Sequence, residues 1–162
     1  MNFKVIYISE GQDSLFKIVW YNDKEVNMEN VLECKKLCKS FGKKQILKDV
    51  SFSIDSGDIL AFIGPNGSGK TTTIKLILGL QKIDSGSVTI NGYDITNDYV
   101  KAIAKVGSIV ENPDSYMYLT GYQNLKLVAN CYPNITPSRI MELVTYVGLE
   151  KSIHEKVSKY SL

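Results

Sequence analysis

A glycine-rich segment near the middle of the chain ends in a lysine and threonines, and an apolar segment comes directly before it. The apolar segment is Ile59-Leu60-Ala61-Phe62-Ile63, and the next segment has the pattern G-x-x-x-x-G-K-[ST]. This pattern and the residue after it comprise Gly64, Pro65, Asn66, Gly67, Ser68, Gly69, Lys70, Thr71 and Thr72. Between a short buried strand and a helix, such a pattern forms a phosphate-binding P-loop. We therefore predict a nucleotide site at residues 64–72.

Each residue type in this segment has a chemical use. Glycines let the backbone turn tightly, so that successive N–H groups point into one concavity and can hold phosphate oxygens. A helix that begins near Lys70 directs its positive end to the same place. Lys70 would contact the β- and γ-phosphates of ATP, and the Thr71 hydroxyl would bind the Mg²⁺ that bridges them. The alternative is an ordinary turn between a strand and a helix, which needs no Lys-Thr pair.

The composition limits what else the chain can be. Its 162 residues suffice for one domain, and 44% hydrophobic and 22% charged residues are typical of a globular protein. A net charge of +2 is too small to indicate a nucleic-acid partner. No apolar run reaches the roughly 18 residues of a membrane span, and the start lacks the features of a signal peptide. We therefore expect a cytoplasmic protein.

Three cysteines suit a reducing compartment. Cys34 and Cys38 lie four residues apart in a predicted strand, which would place both on one face. No second Cys or His pair follows them, so we favour buried thiols over a metal site.

Predicted strands precede the P-loop. Residues 3–8 and 15–21 are rich in β-branched and aromatic types around a polar turn, which predicts a β-hairpin. This hairpin belongs to an N-terminal extension, residues 1–27, to which we assign no chemistry. Alternating apolar and polar residues predict two more strands, at 31–39 and 45–54.

After the P-loop helix the pattern changes from strand to helix. We expect a strand within residues 83–92 and a short buried strand at 106–110. Thr120 is suited to be the N-cap of a helix, and Pro137 to be in the first turn of another. Gly148 is expected to end that second helix.

The order of these features resembles the ATP-binding subunits of ABC transporters, over about residues 28–162. The resemblance is carried by Phe41-Gly42, Leu47-Lys48-Asp49-Val50-Ser51-Phe52, Gly57-Asp58, the P-loop and Ser85-Gly86. Within the family it is greatest to the bacitracin-export and lantibiotic-immunity type. It implies an α/β fold, namely a partial P-loop NTPase domain of the ABC type. Such a domain would have an antiparallel β subdomain, an incomplete central sheet and the start of a helical subdomain.

Two further site residues follow from the resemblance. Phe41 holds the place of the aromatic residue that stacks on adenine, and the alternative is an ordinary core phenylalanine. Glu111 holds the place of a glutamine that helps to bind magnesium, so the chain departs from the family there. A glutamate oxygen can bind magnesium as well as an amide oxygen can. The alternative for Glu111 is a surface residue without a ligand.

The resemblance also implies partners. Residues from Glu111 to Tyr122 occupy the stretch that lies beside the coupling helix of a transmembrane permease. Aromatic residues and methionine suit such an interface, although they suit a small core equally well. A second ATP-binding subunit is implied for the complete protein. The chain would then be peripheral at the inner face of the cell membrane, and export of a peptide antibiotic or similar amphiphile would be the function.

Several catalytic elements of the family are not found in this sequence. The last residues, Tyr160-Ser161-Leu162, resemble the opening of the signature motif. The rest of that motif, the Walker B aspartate, the glutamate that polarises water and the switch histidine are not present. We therefore expect a truncated subunit that binds Mg-ATP weakly with negligible hydrolysis. In the family, the missing strands pair with the P-loop strand, so we also expect an exposed strand edge and a tendency to aggregate.

Two alternatives to a transporter ATPase remain. A small P-loop kinase would suit the length, but Arg139 is the only arginine and no arginine-rich lid is available. A non-catalytic module that senses nucleotide through the same loop is the other. A screen for phosphate acceptors would identify the kinase.

Overall fold

The computed structural model describes residues 3–7, 17–21, 30–110 and 115–160. The chain divides into two compact units, Met1–Glu111 and Asn112–Leu162. The strands are β1 (Phe3–Tyr7), β2 (Lys17–Tyr21), β3 (Asn30–Phe41), β4 (Lys44–Asp55), β5 (Ile59–Ile63), β6 (Ser85–Ile90) and β7 (Tyr93–Asp94). The α-helices are α1 (Lys70–Ile77), α2 (Tyr99–Ile103), α3 (Gly121–Ala129) and α4 (Pro137–Tyr146). This mixture of an antiparallel sheet, a P-loop strand and helices confirms the predicted α/β class.

An antiparallel sheet with the strand order β4-β3-β6-β7 forms one part of the first unit. In β4, buried Val50 and Phe52 alternate with exposed Ser51, as the period of two requires. Leu47 and Val50 of β4, Leu76 of α1 and Val88 of β6 are almost fully buried and form the centre of the core. Helix α1 is therefore anchored on this sheet.

A β-bulge in β3 overturns the expectation that Cys34 and Cys38 share a face. Cys34 pairs with Phe52, and Leu37 pairs with Val50. Between these two pairs β3 advances by three residues and β4 by two, so β3 contains one extra residue. An extra residue reverses which side chains face the core beyond it. Cys34 is consequently buried, whereas Cys38 is partly exposed.

A second sheet, with the order β2-β1-β5, contains the P-loop strand. β1 runs antiparallel to β2 and parallel to β5, in a register from Phe3 opposite Ile59 to Tyr7 opposite Ile63. One edge of β5 is thus paired along its whole length. Among the described residues no strand pairs with its other edge, so the expected open edge is present on one side only.

The region after β7 differs from the prediction. Residues 106–110 do not form a strand, and Ile109 is 78% exposed. An apolar run becomes a strand only where a neighbour accepts its backbone hydrogen bonds, whereas the Val106 N–H donates back to the Ile103 carbonyl at 2.9 Å. Helix α2 was not predicted. Its Ala102 is fully buried in the core, so packing accounts for the position of α2 better than any local sequence signal does.

The second unit is helical, and both of its α-helices begin where the sequence predicts, although α3 ends at Ala129 rather than at the predicted Cys131. Thr120 is the N-cap of α3 and forms a capping box with Gln123. Pro137 is in the first turn of α4, and Gly148 has a φ of 72° just beyond the end of α4. Three apolar side chains form its core, Ile140, Val144 and Ile153. None of the helices in the described part of the chain is long and apolar enough to cross a membrane.

Candidate nucleotide-binding site

The glycine-rich loop connects β5 to α1, and two of its three glycines have conformations that other residues rarely adopt. Gly67 and Gly69 have φ angles of 85° and 98°. A Cβ atom on Gly69 would lie 2.7 Å from Cδ2 of Leu47 and 3.1 Å from Cγ2 of Ile46. The contact with Leu47 is shorter than real Cβ atoms show, and a φ of 98° strains any residue other than glycine, so glycine is strongly favoured at position 69. The antiparallel sheet thus packs directly against the bottom of the loop.

Lys70 is the first residue of α1, and its side chain folds back across the loop. Its Nζ donates hydrogen bonds of 2.7 Å to the carbonyl oxygens of both Gly64 and Pro65. An ammonium group has three N–H donors, so it can hold the loop closed and still donate to an anion. The lysine therefore places a positive charge directly beside the loop.

The N-terminus of α1 faces the same loop. No side chain caps this helix, and its first turn contains no acidic residue. The Thr73 hydroxyl and backbone N–H both donate to the Gly69 carbonyl, at 2.9 and 2.8 Å, which fixes the first turn. The positive end of the helix is therefore available to an anion at the loop.

The burial and hydrogen bonding of Ser68 indicate whether the loop suits a phosphate group. The residue is 4% exposed, and its Oγ has no hydrogen-bond partner within the described residues. A buried hydroxyl without a partner costs about 1–3 kcal/mol. A phosphate oxygen would accept a hydrogen bond from such a hydroxyl, so the chemistry of the loop fits a phosphate.

The remaining loop residues lie on the solvent side. Pro65, Asn66 and Thr71 are exposed, and Thr72 is half-buried in the first turn of α1. The described residues contain no group of three or more His, Cys, Asp or Glu side chains that could hold a metal ion. Of the two predicted magnesium ligands, Thr71 lies within the described residues, and it is exposed. Glu111, the other predicted ligand, lies outside the described residues.

Phe41 is the last residue of β3 and is a surface aromatic, 48% exposed, rather than a core residue. Lys39 Nζ lies over its ring, 5.4 Å from the centroid. Asp84 binds Lys39, and no spacing pattern links these two residues, which are 45 positions apart. No sequence signal therefore predicts the contact between Lys39 and Asp84, because only the pairing of β3 with β6 brings them together.

The predicted partner region is described from residue 115 onward. Tyr116, Met117 and Tyr118 are each more than half exposed, whereas Tyr122 is partly buried and packs against the core of the second unit. The side chain of Asn124 holds the backbone of Tyr116 from both sides, through the Tyr116 N–H at 2.9 Å and its carbonyl at 3.1 Å. Residues 111–114 lie outside the described part of the chain.

Comparison with known proteins gives a consistent result. The family model described as ABC transporter matches residues 47–162. An uncharacterised ABC transporter ATP-binding protein of Bacillus subtilis, YdbJ, is 50% identical over 134 residues, which are 83% of this chain and 44% of that protein. The bacitracin transport ATP-binding protein BcrA of Enterococcus faecalis is 34% identical, with the same two coverages. The chain thus spans less than half the length of these relatives.

The lantibiotic transport ATP-binding protein SrtF of Streptococcus pyogenes is 36% identical over 132 residues, which are 82% of this chain and 56% of that protein. Among solved structures, the ATP-binding subunit of an ABC transporter superposes with a TM-score of 0.69 at 33% identity. That match covers 81% of this chain and 56% of the other chain.

Proposed function

Because the chain belongs to the ABC transporter family of ATP-binding proteins, we propose that its P-loop binds the triphosphate of ATP together with Mg²⁺. The observation that carries this proposal is the position of Lys70. Its ammonium group bridges the Gly64 and Pro65 carbonyls at the uncapped start of α1. A positive charge, a helix N-terminus and a glycine-built bend then converge on one place, as binding of a polyphosphate requires.

The other ligand contacts are assigned by residue type. The backbone from Gly64 through Gly69 would surround the phosphates, with Thr71 binding Mg²⁺ and Thr72 contacting a phosphate from the first turn of α1. Bound Mg²⁺ would neutralise charge between the β- and γ-phosphates. Phe41 would stack on adenine, which its exposure supports, and Glu111 would be a second magnesium ligand.

The transported substrate is proposed from the relatives. BcrA, SrtF and the linearmycin resistance protein LnrL of Bacillus subtilis are named for bacitracin, a lantibiotic and linearmycin. We therefore propose export of a peptide antibiotic or similar amphiphile as the function of the complete transporter. The match to transporter ATPases over residues 47–162 favours this function over a small P-loop kinase.

The proposed partners are a transmembrane permease and a second ATP-binding subunit, which would place the chain at the inner face of the cell membrane. The exposed Tyr116, Met117 and Tyr118 support a permease contact within residues 111–122. Aromatic residues and methionine are common at the centres of protein interfaces.

We propose further that these 162 residues bind Mg-ATP without significant turnover. Phosphoryl transfer depends on positioning and charge stabilisation, and a P-loop supplies only part of both. No residue of this sequence is assigned to polarise the attacking water. Phosphate release by the purified chain should therefore stay at trace level, and Lys70-dependent turnover above that level would contradict the proposal.

Calorimetric titration with Mg-ATP tests the binding proposal directly. Lys70→Ala should weaken binding by about tenfold or more, because a hydrogen bond to a charged group contributes about 1.5–3 kcal/mol. Lys48→Ala is the matched control, since Lys48 is an exposed lysine of β4. It should change the Kd by less than about twofold. Equal affinities of Lys70→Ala and the unchanged chain would refute the assignment of the loop.

A further inference from the structure

The carboxylate of Asp84, the residue just before β6, holds the end of β3. Asp84 Oδ1 accepts a hydrogen bond from Lys39 Nζ at 2.8 Å, and Asp84 Oδ2 accepts one from the backbone N–H of Ser40 at 2.7 Å. The Asp84 N–H donates to the Cys38 carbonyl at 3.3 Å. Three consecutive residues of β3 are thus bound to one aspartate, and the next residue in the chain is Phe41.

The lysine in this arrangement is held on several sides. Lys39 Nζ also donates to the Lys82 carbonyl at 2.7 Å, and its side chain is only 11% exposed. The same Nζ lies 5.4 Å from the centroid of the Phe41 ring. A cation over an aromatic face attracts the ring, so Lys39 holds Phe41 from one face.

The hydrogen bonds around Asp84 favour its ionised form. The hydrogen bond from Lys39, followed by that from the Ser40 backbone, lowers the pKa of Asp84 below its usual value. The carboxylate therefore remains ionised across the physiological range and keeps Lys39 in place beneath the exposed ring.

We propose that Lys39 and Asp84 are positioning residues that fix the Phe41 ring in one orientation and present its opposite face to the adenine base. This inference rests on the proposed function, in which Phe41 stacks on the adenine of ATP. An exposed phenylalanine at the end of a strand otherwise samples several rotamers, and stacking would then have to restrict it. Preorganisation by Lys39 and Asp84 removes that cost.

Binding of Mg-ATP and of inorganic tripolyphosphate with Mg²⁺ separates this role from a merely structural one. The phosphate contacts are common to both ligands, and only ATP has a base. The two ligands should be titrated into the full chain and into Phe41→Ala, Asp84→Asn, Asp84→Glu and Lys39→Met. Glu33→Gln is the matched control, since Glu33 forms a 2.7 Å ion pair with Lys35 at the other end of β3.

The expected pattern is selective for the base. Phe41→Ala should weaken ATP binding about tenfold, which is within the range for loss of one stacked base. Asp84→Asn and Lys39→Met should weaken it about three- to fivefold, in line with a cation–π contact. When combined with Phe41→Ala, neither Asp84→Asn nor Lys39→Met should weaken ATP binding further. Asp84→Glu should recover most of the loss, and tripolyphosphate binding and Glu33→Gln should remain within about twofold of the unchanged chain.

Several results would overturn the inference. If Asp84→Asn and Lys39→Met bind ATP normally while Phe41→Ala does not, the positioning role is wrong and the proposed nucleotide site stands. If they weaken ATP and tripolyphosphate equally, their role is only structural. If Asp84→Asn does not fold, Lys39→Met decides between these results. If the unchanged chain binds neither ligand, the proposed function fails and this inference fails with it.

Discussion

The ring of Phe52 on β4 meets the ring of Phe62 on β5 edge-on, with centroids 5.4 Å apart and an interplanar angle of 78°. This contact joins the antiparallel sheet to the strand that leads into the P-loop. Phe52 is 7% exposed, and Leu60 packs against the same core from β5. The position of the loop therefore depends on packing between two sheets as well as on the local glycine pattern.

Truncating Phe52 should destabilise the first unit and loosen β5. Phe52→Ala removes a buried ring and its edge-to-face partner, so we expect a loss of about 3 kcal/mol in the free energy of unfolding. Phe41→Ala, at an exposed phenylalanine, is the control and should cost less than about 1 kcal/mol. Urea unfolding followed by circular dichroism measures both, and similar losses for the two variants would contradict the role of the contact.

A methyl group at Gly69 should damage both stability and nucleotide binding. Gly69→Ala combines an unfavourable φ of 98° with the 2.7 Å approach to Leu47, so we expect a loss of about 3 kcal/mol. Gly57→Ala measures the cost of the backbone conformation without crowding, because Gly57 has a φ of 85° and no atom would lie within 4 Å of its added Cβ. It should cost only about 1 kcal/mol and leave ATP affinity unchanged. Equal costs for both variants would show that crowding at Gly69 is unimportant.

The thiols should differ in reactivity. Burial, followed by the nearby charge of Glu33, raises the pKa of Cys34 to about 12. Only the thiolate is a nucleophile, so Cys34 should resist iodoacetamide in the native chain near neutral pH, whereas exposed Cys131 reacts. Mass spectrometry of the labelled peptides distinguishes them. In denaturant both should react at similar rates, and rapid native labelling of Cys34 would contradict its burial.

The same raised pKa predicts a loss of stability at alkaline pH. Below the pKa of an unfolded thiol, roughly 8.5, both states hold the proton and the contribution of Cys34 is complete. As the pH rises above that value only the unfolded chain ionises, so stability falls progressively towards the folded pKa of about 12. Urea unfolding across this range should show a steeper alkaline decline for the unchanged chain than for Cys34→Ala. Parallel declines would rule out Cys34 as the cause.

Local signals predicted the features that depend on neighbouring residues. The P-loop and the N-cap at Thr120 were recognisable because backbone turns and helix caps need particular residues at fixed offsets. Features that depend on distant partners were not recognisable. The bulge near Lys36, the absence of a strand at 106–110 and the ion pair of Lys39 with Asp84 all follow from which strands become neighbours. No spacing pattern in the sequence encodes those neighbours.

The N-terminal residues should support the P-loop strand. β1 pairs in parallel with β5 along its whole length, from Phe3 opposite Ile59 to Tyr7 opposite Ile63. Deleting residues 1–27 would remove these hydrogen bonds and leave both edges of β5 without a described partner. Unpaired edges exchange their amide hydrogens readily and associate with other chains. We therefore expect faster hydrogen exchange in β5, more self-association in light scattering and weaker ATP binding.

Single substitutions separate strand pairing from the mere presence of the N-terminal residues. β1 lies between β2 and β5, so a proline in its middle removes a backbone donor from a central strand. Val5→Pro should therefore reproduce the effects of the deletion, whereas Val5→Thr, which keeps a β-branched residue, should not. Unchanged hydrogen exchange at Ile59–Ile63 in the deletion variant would contradict the supporting role of β1. If hydrogen exchange in β5 increases in Val5→Pro but stays normal in the deletion variant, the proline variant disrupts the sheet through a misplaced strand instead.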